Sequence, residues 1–412
     1  MGSANNQGIC WWFLAQFTRY SLTLFLSAVM FADAVAAIPK NQGLQIEQQT
    51  TQQDTTRAAA ERLFQEGMQF YQQGTAESLR QAIGKYQAAL KLWQKLDEQS
   101  QEAETLNQIG LVYDDLGETQ EVLKYYNQAL PILLAVEDRT GEATTLNNIG
   151  KVYLSLGERE EALKHFNQAL LISRAVGDKK VEALTLNYLG VVYNSLEEQQ
   201  EALKYYNQAL PILRAVEDRE QEASTLKNIS LVYAALGEKQ AAIKYLNQAL
   251  SIGLAVEDKR IEARTLNDIG FVYASLGEPQ EALKYFDQAL PILRAVGEKR
   301  REATILHNIG GIHKSLGEQE EALKYYNQAL SIRRAVGDRK GEILTLSNMA
   351  SLEYRRGNLQ PAQTHIQAAI EIIEDLRAKI TNAELRDAYS ASVRGYYEFN
   401  TYLLMELQKK DL

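Results

Sequence analysis

EAETLNQIGLVYDDLGETQEVLKYYNQALPILLAVED, residues 102–138, is the stretch whose pattern decides the fold of this 412-residue chain. In its first half Leu106, Ile109, Gly110, Tyr113 and Leu116 stand three, one, three and three residues apart. That spacing puts them on one side of a helix turning about 100° per residue. Gly117 then stops the helix, because glycine takes the left-handed conformation at a helix C-terminus without a steric penalty. In the second half Val122, Tyr126, Ala129, Leu130 and Leu133 again share one helical face, and Asp138 and its neighbours end it. Two helices joined by a tight turn make an antiparallel hairpin. Gly110 and Ala129, small residues on the facing sides, let the two backbones approach while Tyr113 and Tyr126 fill the space beside them.

Nearly the same stretch recurs from Ala103, Ala143, Ala183, Ala223, Ala263 and Ala303, a period of 40 residues. A period of this length means stacked supersecondary units with no single closed core. The small-residue pair returns as Gly150/Ala169, Gly190/Ala209, Gly270/Ala289 and Gly310/Ala329, with Ser230 and Ala350 in place of two glycines. A degenerate unit precedes the regular ones (Leu63, Gly67, Phe70, Ala82, Tyr86, Ala89) and another follows (Leu346, Met349, Ala350, Ala362, Ile366, Ala369). The expected array is eight hairpins over 58–376, six of them regular at 103–342. Residues 377–412 are expected to hold a capping or connector helix, from Asn382 to Lys409, over the last open apolar face. Pro131, Pro211 and Pro291 sit on the outer face of alternate second helices, a pattern that duplication of a two-repeat block explains.

A net charge of −9, with lysine and glutamate alternating and no basic stripe, excludes nucleic acid as the expected partner. The only cysteine is Cys10, so the repeats carry no disulfide, thiolate metal site or cysteine nucleophile. His165, His307, His313 and His365 occupy columns filled elsewhere by Tyr, Asn, Lys or Ser, and no spacing gathers them as metal ligands. Gly-rich phosphate loops, H-E-x-x-H patterns and Ser/His/Asp groupings do not occur, so neither an enzyme nor a cofactor is expected.

Residues 1–37 stand outside the repeat. Arg19, the apolar run Ser21–Ala32 and the small residues Ala34, Val35, Ala36 and Ala37 have the order of a secretory signal, with cleavage after Ala36 or Ala37. Export to the periplasm or the extracellular space is expected. The alternative is an uncleaved membrane anchor, since Trp11, Trp12 and Phe13 lengthen the apolar region. Residues 38–57, rich in Gln and Thr, are expected to be a disordered spacer.

Leu106-x2-Ile109-Gly110-x2-Tyr113 followed by Gly117, Val122, Tyr126 and Ala129 resembles the tetratricopeptide repeat (TPR). The resemblance implies an all-α, right-handed α-solenoid of about eight helical hairpins with a C-terminal cap. It also implies a non-catalytic protein-interaction scaffold. The period exceeds the about 34 residues of the common form. The extra length lies in the second helix (PILLAVED, residues 131–138) and resembles the long-helix subclass of kinesin light chains and cell-polarity adaptors.

If Leu106, Ile109, Gly110 and Tyr113 face inward, the other side of the first helix carries Glu104, Asn107, Gln108, Leu111, Asp114 and Asp115. One column down the stack reads Asn107, Asn147, Asn187, Lys227, Asn267, His307; the next includes Asn148 and Asn308; a third, more variable, includes Lys151 and Phe271. Carboxamides both donate and accept, so such a ladder suits the backbone of an extended peptide. The resemblance implies the same, since concave asparagines hold peptide backbones in TPR adaptors. These ten residues are therefore the candidate peptide-binding face, and a protein or peptide the expected partner. The residues alone leave open a second reading, in which a fixed asparagine column bridges neighbouring repeats. Lys151, Lys227, Arg264 and Lys314 are scattered among Asp114, Asp115 and Asp268, so a cluster gripping a peptide's terminal carboxylate is not expected.

The tail AKITNAELRDAYSASVRGYYEFNTYLLMELQKK, through Arg386, Tyr389, Tyr397, Leu403 and Leu404, resembles the connector after the repeats in cyanobacterial TPR proteins that carry a caspase-related CHAT domain. That resemblance implies an alternative function: a regulatory subunit or truncated arm of a TPR–CHAT protease system, with a separately encoded CHAT partner.

Overall fold

The computed structural model describes residues 40–255 and 258–410. The proposed signal or anchor, residues 1–37, lies outside them. The chain divides into two units, Met1–Ala59 and Ala60–Leu412. The described residues form eighteen helices and no strand. α1 (Lys40–Gln73) and α2 (Ala76–Leu96) come first, then α3 (Gln99–Leu116) with α4 (Thr119–Ala135) and α5 (Arg139–Leu156) with α6 (Arg159–Val176). α7 (Lys179–Ser195) pairs with α8 (Gln199–Ala215), α9 (Arg219–Ala235) with α10 (Lys239–Ala255), and α11 (Lys259–Ser275) with α12 (Pro279–Val296). α13 (Lys299–Ser315) with α14 (Gln319–Val336) and α15 (Arg339–Arg355) with α16 (Leu359–Ala378) complete a solenoid of paired hairpins, followed by α17 (Ala383–Ser392) and α18 (Arg394–Lys410). None of these helices is long and apolar enough to cross a membrane.

The helix α1 begins inside the 38–57 stretch expected to be a disordered spacer. Gln, Glu and Lys have good helix propensity, and extending a helix that already exists avoids the cost of nucleation. The tail also differs from the single helix expected, breaking at Val393 between α17 and α18. Pro131, Pro211 and Pro291 are exposed within α4, α8 and α12, which run on past them.

Where they carry a glycine and an aspartate, the two turns of a unit are closed by different chemistry. Between first and second helix, Gly117 adopts φ 76°, and its N–H donates to the α3 carbonyls of Tyr113 and Asp114. Between one unit and the next, an aspartate caps the incoming helix: Asp138, Asp178 and Asp218 accept from the N–H of Gly141, Val181 and Gln221.

Within six of the eight hairpins an aromatic ring of the second helix lies directly on a glycine of the first. A Cβ at Gly110 would stand 2.5 Å from the Tyr126 ring, at Gly150 2.6 Å from Phe166, at Gly190 2.4 Å from Tyr206 and at Gly270 2.6 Å from Phe286. Gly67 meets Tyr86 and Gly310 meets Tyr326 in the same way. Where the second helix carries Leu246 or Ile366 instead of a ring, the first carries Ser230 or Ala350, and both aliphatic side chains are fully buried. Ring and small residue thus exchange together, which keeps the packed volume constant. Ser230 Oγ satisfies itself by donating to the Ala242 carbonyl at 2.8 Å.

The array also meets itself. Arg300 at the start of α13 donates to the Asp115 carbonyl at the end of α3 at 3.3 Å, and its guanidinium lies 3.7 Å from the Asp115 carboxylate. Lys340 pairs with Asp114 at 3.4 Å and Lys379 with Glu118 at 2.9 Å. Gln120 Oε1 accepts from the backbone N–H of Thr381 at 2.5 Å and of Asn382 at 3.1 Å. Val122, Leu123, Ile149 and Val152 share one apolar cluster with Leu376, Ile380, Tyr389 and Leu403. The residues after α16 therefore do two things. α18 covers the last hairpin, with Gln363 Nε2 donating to Asn400 at 2.9 Å and Tyr397 donating to Glu374 at 2.5 Å. The segment before it, with α17, docks on the second and third hairpins.

Candidate binding surface on the first helices

Successive first helices touch one another through the asparagine column. Asn147 Nδ2 donates to Thr185 Oγ1 at 2.8 Å, and Thr145 Oγ1 donates to Asn107 Oδ1 at 3.1 Å. In the other direction Asn228 Nδ2 donates to Asn187 Oδ1 at 3.0 Å and Asn308 Nδ2 to Asn267 Oδ1 at 3.4 Å. Lys227 keeps the pattern as an ion pair with Asp268 at 3.7 Å. In a curved two-layer array the layer whose members touch is the inner one, so these helices form the concave wall.

This corrects the placement expected for the first column. Asn147, Asn187 and His307 were expected to face an open groove, but they are buried, Asn147 to 1% exposure. Asn107, Lys227 and Asn267 are half-buried in the same seam. The column points sideways, toward the threonine of the next unit, rather than along the radius of the curve. A peptide reaches Asn147 and Asn187 only by separating two repeats, whereas Asn107 still lines an open cleft between α3 and α5.

The neighbouring columns stay accessible. Asn148, Asn308 and Lys151 are half-buried, and Phe271 is 48% exposed. Leu111, Gln108, Asn148, Glu104 and Thr144 line a cleft of about 360 Å³ between α3 and α5. Asn147 Oδ1 has no hydrogen-bond partner, because the residue that supplies the amide donor elsewhere in the ladder is Tyr188 here. The Tyr188 ring stacks on Phe166 instead, with centroids 5.2 Å apart.

At the far end of the wall the ladder becomes a longer chain. His307 Nδ1 and Thr345 Oγ1 are 3.3 Å apart, and His307 Nε2 is 3.3 Å from Asn348 Nδ2. The amide can only donate there, so Nε2 accepts and Nδ1 carries the proton. Arg333 Nη1 donates to the same Thr345 oxygen at 2.8 Å. Burial, with Arg333 and Lys314 nearby, pushes the His307 imidazole down to about 3, so it is neutral at physiological pH. Beyond Asn348 stand Lys314, Ser351 and Arg355, a set that sequence reasoning did not assemble. The signal was present in Arg355, the one basic residue in the column of Asp115, Ser155, Ser195, Ala235, Ser275 and Ser315. Among the described residues no group of His, Cys, Asp and Glu could hold a metal ion.

Comparison with known proteins gives a consistent result. No curated protein matches the chain. Among solved structures, aspartyl phosphate phosphatase F from Bacillus subtilis superposes with a TM-score of 0.56 at 17% identity, covering 82% of this chain and 86% of its own. The apo form of RapI gives 0.51 at 19% identity, covering 67% and 98%. The apo form of the quorum sensor NprR from B. thuringiensis gives 0.51 at 16% identity, covering 87% and 99%. Likeness at that identity carries the fold alone. A family model described as tetratricopeptide repeat matches residues 75–135, 141–215 and 261–335, and a second of the same description matches 223–252. Matched over half its length and folded as the paired hairpins described above, the chain belongs to the tetratricopeptide repeat family.

Proposed function

We propose that this chain is a non-catalytic protein-interaction scaffold whose inner wall holds an extended segment of a partner protein. The observation that carries the reading is the accessible apolar column Val191, Leu231 and Phe271, flanked by Asn228, Asp268 and Asn308. Packed helices lie about 8–10 Å apart, and a segment in the polyproline II conformation has three residues per turn with a rise of about 3.1 Å per residue. Such a segment lying along the wall presents every third side chain to successive repeats. Apolar side chains at that spacing meet Val191, Leu231 and Phe271. Asn228 and Asn308 spend an N–H on the ladder, and each keeps its carboxamide oxygen for a peptide N–H.

A displayed library of extended peptides provides the test. Binders are expected to carry apolar residues three apart. Val191→Ser, Leu231→Ser and Phe271→Ser together are expected to weaken them at least tenfold with helicity unchanged. A photo-crosslinker at position 271 is expected to capture the peptide, and one at the outer position 244 is not. Unchanged affinity in the triple variant moves the site to the second helices. We also propose export directed by residues 1–37; N-terminal sequencing of protein from the exported fraction is expected to begin after Ala36 or Ala37, and a start at Met1 overturns cleavage.

A further inference from the structure

We propose that the fourth and fifth hairpins carry, at their turns, a docking site for an amphipathic helix of a partner protein with the chemistry of α17. The site lies at the turns rather than on Val191, Leu231 and Phe271, so it goes beyond the reading of the inner wall.

The chain already fills one such site. The turns of the second and third hairpins receive residues 379–393. Lys379 pairs with Glu118 at 2.9 Å, and Gln120 Oε1 accepts the backbone N–H groups of Thr381 and Asn382 at 2.5 and 3.1 Å. Asn382 then caps α17, accepting from the Leu385 N–H at 2.9 Å. Leu385, Tyr389 and Val393 stand four residues apart, so they share one helical face. That face joins the apolar cluster of Leu123, Val152, Tyr153 and Leu156.

Eighty residues on, the receiving side recurs without its occupant. Leu116, Glu118, Gln120, Leu123, Val152, Tyr153 and Leu156 return as Leu196, Glu198, Gln200, Leu203, Val232, Tyr233 and Leu236. Other offsets lose part of the set: 40 residues on, Gln120 becomes Glu160; 120 on, Leu123 becomes Ile243; 160 on, Tyr153 becomes His313. What differs at 80 is the cover. Leu116 and Leu156 are 6% and 5% exposed, whereas Leu196 and Leu236 are 37% and 40% exposed. Glu118 and Gln120 are half-buried, whereas Glu198 and Gln200 are exposed. Leu123 is buried, whereas Leu203 is only half-buried. The bare strip is thus continuous in kind with an interface the chain has already made.

The filled site states what the empty one takes. The occupant is a helix with a lysine three residues before its cap and large apolar side chains three, seven and eleven residues after it. In a second copy of this chain α17 is held in its own seam, so the helix comes from another protein. Two positions of the copy differ: Gln199 replaces the buried Thr119, and Ala202 replaces Val122. Gln199 is the longer side chain, and it stands where the entering helix start must pass.

The probe is a fluorescein-labelled peptide of residues 377–394, stapled between the exposed positions 383 and 387 so that it enters as a helix. It is titrated into the full chain and followed by fluorescence polarisation. Saturable binding is expected. Leu196→Asp with Leu236→Asp, both at exposed positions, is expected to weaken it at least tenfold with the thermal melt unchanged. Gln199→Thr is expected to tighten it at least twofold. With p-benzoylphenylalanine in place of Tyr389, the peptide is expected to cross-link to α8 or α9. Absence of binding, or binding that the paired aspartates leave unchanged, overturns the site. A cross-link confined to α4 and α5 means that the peptide has displaced α17, and this overturns it too. The wall is separated by its own triple serine variant at positions 191, 231 and 271. Unchanged affinity for this peptide supports a distinct site, and a tenfold loss places the probe on the wall and overturns the proposal.

Discussion

The middle of the array and the place where its ends meet are held together in different ways. Between α7 and α12 a helix packs on its own hairpin and on the adjacent ones, through the aromatic–glycine contact inside (Ser230 with Leu246 in α9 and α10) and the amide ladder between. At the seam Asp114, Glu118 and Gln120 meet Lys340, Lys379 and Thr381, residues more than 200 positions away. A solenoid with only neighbour contacts has a stability that is nearly a sum of unit and interface terms. The seam adds a term that depends on every intervening repeat holding its curvature, so it ties the second hairpin to the eighth.

The middle is the easier half to break. Gly270→Leu drives a side chain into the Phe286 ring where even a Cβ lies 2.6 Å away. We expect a loss of about 3 kcal/mol or more by overpacking, read as a lowered denaturation midpoint. Gly270→Ser combined with Phe286→Leu copies the Ser230/Leu246 pair and is expected to recover most of the stability that Gly270→Ser alone loses. Failure of that rescue means ring and small residue do not act as a unit.

Leu376→Ala addresses the seam. Leu376 is 4% exposed, belongs to the cluster that joins the two ends, and lies against Gly117. A loss of about 2–5 kcal/mol is typical of such a truncation. The informative readout is hydrogen exchange. Protection is expected to fall in α4 and α5 along with α16, whereas Leu290→Ala in α12 is expected to loosen only its neighbours. Unchanged protection in α4 and α5 reduces the seam to a passive contact.

A third difference depends on pH. His307 is lowered to about 3 when folded, and an ordinary histidine titrates near 6.5. Between those values the unfolded chain binds the proton and the folded chain does not. Stability contributed by this site is therefore complete above about 6.5 and is lost as pH falls toward about 3, by at most about 1.4 kcal/mol per pH unit. His165 and His365 are also lowered by burial and add slopes of the same sign. The expected result is thus a difference: His307→Asn, which restores the residue of Asn107, Asn147, Asn187 and Asn267, flattens the profile relative to the parent chain in urea titrations at pH 4 and 7.

How far the sequence reaches follows the same division. The period, the two helices of each unit and the small residues at their contact were legible because each depends on spacing within one unit. The exchange of glycine for serine or alanine where the ring becomes Leu246 or Ile366 was legible too, but only by reading two columns together. The asparagine column was placed on the wrong surface for a geometric reason. A helical wheel separates buried from exposed in one hairpin, but whether Asn147 meets solvent or Thr185 depends on the rotation between hairpins, which the wheel does not contain. The seam was out of reach altogether, since Glu118, Gln120 and Lys379 each look like ordinary surface residues until the curvature of the whole array brings them together.

The smallest effect is also the sharpest test of what the seam is made of. Lys379 and Asp375 are half exposed, and Lys379 lies 2.9 Å from Glu118 and 3.9 Å from Asp375. Exposed pairs of this kind contribute under about 1 kcal/mol and are screened by salt. Lys379→Glu is therefore expected to lower stability slightly at low ionic strength and not at all in concentrated salt. Adding Glu118→Lys reverses the pair and is expected to restore the low-salt value, giving a favourable coupling in the double-mutant cycle. A zero coupling alongside an effect of Leu376→Ala on α4 and α5 assigns the joining of the ends to apolar burial, with the charges only setting register. A coupling that persists in salt, with no long-range effect from Leu376, assigns it to the polar side, where Gln120 accepts two backbone N–H groups from Thr381 and Asn382 and no side-chain charge is needed to hold them.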